Sequence, residues 1–256
     1  MDARVIQFES EPQGKVATER FFENRWVRVT ASPADGESEE LCVVFQSMMG
    51  WRIEPGDEEF QRYARNDGVR HALFITDLKN TWCNAPGYFE TVAEQIAAYR
   101  ERHGIRRVVL MGLSMGGFAA LGASGGCDCD VVIALAPQYS VDRSIIPEER
   151  RYPRMIRKVP ITVPTVDAMI SKDAAHFVMH GIADVDVHHM RAFAKLPNLC
   201  QIVFPNLPHP LIPSLGSKLF RRFAEAFETR NHRLLMRLAG RNGAFVRLPG
   251  PGGQVA

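Results

Sequence analysis

Net charge is almost missing from this sequence. Its 256 residues carry 31 lysines and arginines against 29 aspartates and glutamates, a balance of +2 with neutral histidines. Without a strong field of one sign, neither nucleic acid nor an anionic membrane surface is an expected partner. Paired cysteines are missing too. Cys42, Cys83, Cys127, Cys129 and Cys200 are odd in number and scattered, and no CxxC spacing occurs. That excludes a zinc ribbon and a disulfide framework, and it suits a reducing, cytoplasmic setting. The close pair Cys127 and Cys129 reads as two small residues in a helix-to-strand turn. The opening stretch, MDARVIQFESEPQGK, has acidic residues and no apolar centre, so no secretory leader is expected in it. No internal repeat or low-complexity block is visible.

What is present is core material. Hydrophobic residues make up 46% of the chain, charged residues 23% and aromatic residues 9%, fractions typical of a globular domain that needs no covalent staple. Mostly continuous apolar runs recur at Leu41–Gln46, His71–Asp77, Arg107–Gly112, Asp130–Pro137, His176–Gly181 and Cys200–Pro205. Such runs suit strands buried on both faces of a parallel sheet. Trp26–Thr30 carries a charge at Arg28 and reads as an edge strand. Between the runs, Tyr88–His103 has apolar residues at helical spacing and stops at Gly104. Met115–Ser124, His188–Lys195 and Leu219–Thr229 are further expected helices, the last with Phe220, Phe223 and Phe227 on one stripe. Basic residues from Arg221 to Arg241 are interspersed with Glu225 and Glu228 and read as a solvated helix face.

The alternation predicts one α/β domain over residues 1–240. Residues 138–172, rich in proline and charge and without a clear period, interrupt it as either a small lid or a long loop. The glycine- and proline-rich residues 241–256 are expected to form a flexible tail, frayed or draped over the surface. From Val108 to Gly126 no residue is charged, a run nearly long enough to span a bilayer. Its six glycines and β-favouring start read instead as a buried strand, a tight turn and a buried helix.

That turn is Gly112-Leu113-Ser114-Met115-Gly116, a G-x-S-x-G between an apolar strand and a helix. A serine there occupies a strained turn, so its near neighbours must be small. Its Oγ projects above the sheet edge near the positive end of the helix, and the Met115 N–H points where an oxyanion would form.

With its flanking strand and helix, the turn resembles the nucleophile elbow of the α/β-hydrolase superfamily of serine esterases, lipases, thioesterases and peptidases. The resemblance covers roughly residues 25–230, and the elbow is its most specific part. It implies an α/β-hydrolase fold: a mostly parallel central sheet with helices on both faces and a short lid-like insertion. It also implies the chain order serine, acid, histidine. His209, in the loop after Cys200–Pro205 and flanked by Pro208 and Pro210, takes the place of the base. Asp184, in the stretch His180-Gly-Ile-Ala-Asp184, takes the place of the acid, with Asp186 its alternative and Asp142 a third. The second oxyanion donor is expected from Ser47 or Met48, although Gln46-Ser47 stands where the family usually has His-Gly. Stretches Asp77–Asn84 and Ala136–Ser140 look loosely like a bacterial subgroup associated with surface-polysaccharide metabolism.

The function so implied is a serine hydrolase, carboxylesterase-like, acting without a cofactor on a small-molecule or saccharide ester or thioester through an acyl-enzyme. An acyltransferase on a sugar or polysaccharide and a non-catalytic binding protein on the same scaffold are the alternatives. His180, Asp184, Asp186, His188 and His189 are metal-ligand types within a short stretch, but nothing elsewhere completes a site, and no metal is expected.

Overall fold

Apolar runs with no polar face cannot rest against water on either side, and here they form the middle of a sheet. The computed structural model describes residues 18–48, 56–156, 159–193 and 199–248. Strands β3 (Glu40–Phe45), β4 (His71–Asp77), β5 (Arg107–Leu113), β6 (Val131–Leu135), β7 (Ala175–Gly181) and β8 (Leu199–Phe204) pair in parallel. Antiparallel strands close both margins: β1 (Glu19–Glu23) and β2 (Val27–Ser32) at one, β9 (Phe245–Arg247) at the other. The order is β1-β2-β4-β3-β5-β6-β7-β8-β9.

Two expectations change here. Val27–Ser32 is an interior strand, because Glu19–Glu23 pairs on its outer side, and Arg28 meets Glu23 there at 2.8 Å. Part of the expected tail is ordered, since Phe245–Arg247 pairs with β8. Residues 1–17 and 249–256, which include the stretch read for a leader and the end of the tail, lie outside the described residues, as do residues 194 and 195 of the helix expected to reach Lys195.

The period-2 alternation of strand side chains divides the core in two. Leu41, Val43 and Phe45 of β3 pack with α2 (Tyr88–His103) and α3 (Met115–Ala123) on one face. Cys42 and Val44 pack on the other, toward α1 (Gln61–Arg65), α6 (Leu211–Leu215), α7 (Ser217–Glu228) and α8 (His232–Arg241). The short α4 (Pro153–Ile156) and α5 (Asp186–Phe193) lie between α3 and α6 in the chain. The phenylalanine stripe of α7 is buried as expected, with Phe223 and Phe227 at 0% exposure. The run from Val108 to Ala123 is β5 and α3, buried throughout. Among the described residues no helix is long and apolar enough to cross a membrane.

The chain leaves β3 for β4 on one side, then crosses to β5 on the other. In an open parallel sheet, such a reversal opens a crevice beyond the carboxyl ends of the two strands. Residue 114 follows β5 and residues 46–48 follow β3, so both lie at that crevice.

Candidate active site

Ser114 sits between the last residue of β5 and the first of α3 with φ 56° and ψ −118°. For a residue with a Cβ this conformation costs about 1–3 kcal/mol. It is held by the Ser114 N–H donating to Leu135 O at 2.8 Å and by Ser114 O accepting from Phe118 N at 3.1 Å. The close start of α3 against β3 requires glycine: a Cβ on Gly116 would lie 2.1 Å from the carbonyl oxygen of Phe45. Met115, in the first turn of α3, has an N–H with no intrahelical acceptor, at the positive end of the helix.

His209 lies between β8 and α6. Its Nε2 is 3.2 Å from Ser114 Oγ and its Nδ1 is 2.6 Å from Asp186 Oδ2. A carboxylate only accepts, so the imidazole proton sits on Nδ1 and Nε2 is free to accept from the serine hydroxyl. The acid on the ring is therefore Asp186, and the first choice from sequence, Asp184, is corrected. Asp184 is exposed, and its carboxylate accepts the backbone N–H groups of His209 at 3.1 Å and Asp186 at 3.3 Å. It shapes the loop, whereas Asp186 opens α5 (Asp186–Phe193) at 0% exposure. Asp142 is committed to a local turn with Ser144. The histidine loop approaches β7 closely because residue 181 is glycine: a Cβ there would lie 2.5 Å from the carbonyl oxygens of Leu207 and Pro208.

Residues 138–172, expected as a lid or loop, contribute shielded charged groups behind Asp186. Arg151 Nη1 lies 3.0 Å from Asp186 Oδ1, and the same guanidinium is paired with Glu149. Glu149 Oε2 is 2.9 Å from His189 Nε2, and His189 Nδ1 accepts from Tyr139 N at 3.1 Å. His189 thus carries its proton on Nε2 and donates to Glu149. Burial alone would raise the Asp186 carboxyl, but the hydrogen bond from His209 and the Arg151 charge hold it below its ordinary value. Burial of Glu149 is likewise outweighed, by His189 and Arg151, which bring its pKa down to about 2. Nothing in the sequence marked Glu149 or Arg151, which stand in an aperiodic polar stretch.

Gln138 was also missed. It stands three residues past the end of β6, is fully buried, and donates from Nε2 to Ser114 Oγ at 2.9 Å. Its position just past a strand's carboxyl end was the available signal.

The loop after β3 departs from expectation. Ser47 donates its N–H to Glu59 Oε2 at 2.7 Å and its Oγ–H to Glu59 Oε1 at 2.6 Å. Its amide is therefore already engaged and is no second oxyanion donor in this arrangement. Met48, next along, packs half-buried against the core. The metal-type cluster is dispersed: His180 Nε2 donates to Pro137 O at 3.1 Å, His188 faces Glu148 at 3.6 Å, and His189 faces Glu149. Burial lowers the His180 imidazole to about 4, which keeps it neutral.

No protein-family model matches the chain, and no curated protein matches it either. Solved structures do. The acylaminoacyl peptidase of Pyrococcus horikoshii superposes with a TM-score of 0.59 at 12% identity, over 83% of this chain and 41% of that one. A double mutant of esterase E40 gives 0.59 at 17% identity, over 90% and 87%. The capsule O-acetyltransferase of Neisseria meningitidis serogroup A gives 0.57 at 13% identity, over 80% and 92%. The chain thus has the α/β-hydrolase fold, and it spans well under half the length of the peptidase it matches.

Proposed function

We propose that this chain is a serine hydrolase that cleaves a carboxylic ester or thioester through an acyl-enzyme, with Ser114 as nucleophile, His209 as base and Asp186 as the acid that orients it. The observation that carries the reading is the unbroken run Asp186–His209–Ser114 at 2.6 and 3.2 Å, set on a strained elbow. Ser114 Oγ attacks the carbonyl carbon while its proton passes to His209 Nε2. The carbonyl electron pair becomes an oxyanion, which the N–H of Met115 and an N–H at Met48 hold. Collapse expels the alcohol or thiol, which takes the proton from His209. Water then repeats the sequence and releases the acid. Ionised Asp186 stabilises the imidazolium each time it forms.

A non-catalytic binding protein has no physical need of all three groups in register, which weighs against that alternative. Transfer to an alcohol in place of water draws support from one comparison, since the capsule O-acetyltransferase is covered over 92% of its length. Substrate class follows from pocket shape, and a sugar ester stands as one candidate. The test is hydrolysis of p-nitrophenyl acetate by wild type and Ser114→Ala, with and without a sugar acceptor. The reading expects a burst of p-nitrophenol from wild type only. Equal turnover by Ser114→Ala would overturn it.

A further inference from the structure

The triad leaves Gln138 without a role, yet its amide touches the nucleophilic oxygen. Trp82 Nε1, which can only donate, faces Gln138 Oε1 at 3.5 Å. The carboxamide oxygen is therefore turned to Trp82 and its nitrogen to Ser114, which fixes the amide orientation. Nε2 donates to Ser114 Oγ at 2.9 Å and occupies one of its lone pairs. The hydroxyl has a single hydrogen, and the acceptor left for it is His209 Nε2 at 3.2 Å.

Both neighbours of Gln138 are anchored. Pro137 O accepts from His180, Tyr139 N donates to His189 Nδ1, and Ala136 N donates to Met179 O at 2.7 Å. Gln138 and Trp82 are both 0% exposed, so water does not compete for the amide.

Resting on the serine-hydrolase reading above, we propose that Gln138 is a catalytic residue that holds the Ser114 hydroxyl with its proton aimed at His209, and that Trp82 is the positioning residue that fixes the Gln138 carboxamide. As the Oγ–H bond breaks and the proton moves to Nε2, electron density rises on Oγ and the Gln138 N–H···Oγ bond strengthens. Once the Oγ–C bond has formed, Oγ is an ester oxygen and a poor acceptor, and the bond weakens. The contact therefore favours the attack step over substrate binding.

The test is the rate at which a fluorophosphonate labels Ser114 in the full chain, compared across wild type, Gln138→Met, Gln138→Glu and Trp82→Phe. Gln138→Met keeps the shape and removes the donor, and labelling slows about tenfold. Trp82→Phe slows it less, in the same direction. In Gln138→Glu the introduced carboxylate accepts the serine hydrogen and draws it away from His209. Its labelling rate relative to wild type falls further as pH rises through the carboxyl titration, a slope that a packing defect does not produce. Wild type that never labels overturns the serine-hydrolase reading itself. Wild type that labels, with both Gln138 variants at the wild-type rate and pH profile, overturns the role of Gln138 alone. If Gln138→Met proves unfolded by circular dichroism, the Gln138→Glu slope and the Trp82→Phe rate decide.

Discussion

Arg151 Nη1 lies 3.0 Å from Asp186 Oδ1, with the guanidinium 21% exposed and the carboxylate 0%. The same guanidinium is paired with Glu149, itself buried. Two shielded carboxylates thus share one permanent positive charge, and removing it leaves both without a permanent counter-charge, held by histidine and backbone donors alone.

Arg151→Met is expected to lower unfolding free energy by about 3–5 kcal/mol, the usual cost of leaving buried charge unpaired. Urea denaturation measures it. A loss under about 1 kcal/mol, the level of a surface pair, would mean that solvent already screens the cluster.

Acid should weaken the fold in two stages. Burial brings His176 and His180 to about 4 from an ordinary 6.5. Below 6.5 the unfolded chain takes up protons that the folded chain refuses, so stability falls as pH drops from 6.5 toward 4. Glu149 titrates at about 2 against an ordinary 4.5, despite its burial. It adds a second loss as pH drops from 4.5 toward 2. In a chain carrying His176→Asn, the slope of stability against pH between 6.5 and 4 flattens by up to about 1.4 kcal/mol per pH unit. An unchanged slope would show that His176 is protonated in the folded state.

The two neighbouring aspartates should separate cleanly. Asp186→Asn removes the negative charge that stabilises the imidazolium and lets an amide N–H face His209 Nδ1, which favours the wrong tautomer. It is expected to cut kcat by about 10³–10⁴. Asp184→Asn keeps an oxygen for one of the two backbone N–H groups, which bond different oxygens of Asp184, and stays within about tenfold of wild type. Steady-state kinetics with a p-nitrophenyl ester distinguish them, and the reverse ranking would return the acid role to Asp184.

Gly116→Ala drives a Cβ to 2.1 Å from the Phe45 carbonyl oxygen, a backbone atom with no rotamer escape. Destabilisation of about 1–3 kcal/mol or more is expected, with loss of ester hydrolysis. A variant with wild-type melting and activity would show that α3 does not begin where the elbow needs it.

The central strands, α2 and the elbow were legible in the sequence because continuous apolar runs, helical spacing and G-x-S-x-G each report a local requirement. Tyr88–His103 and His71–Asp77 have the same bounds in the structure as in the sequence reading. What escaped was decided by tertiary placement. Asp184 and Asp186 sit two residues apart in one turn, and only the direction in which α5 opens makes one exposed and the other buried. Glu149 and Arg151 lie in a stretch whose polarity suits a surface loop, and only their contacts with His189 and Asp186 of α5 reveal them as a shielded pair. Ser47 fits a family position by alignment of strand ends, but Glu59, twelve residues on, takes its amide.

The central claim is that Ser114 is a nucleophile activated by His209 and Asp186. Its most direct measurement is mass-spectrometric mapping of the residue modified by a fluorophosphonate, in wild type and in His209→Ala. The account predicts one adduct per chain, on Ser114, formed by wild type and lost in His209→Ala. No adduct on wild type, an adduct on another residue, or labelling of Ser114 that is indifferent to His209→Ala would contradict it.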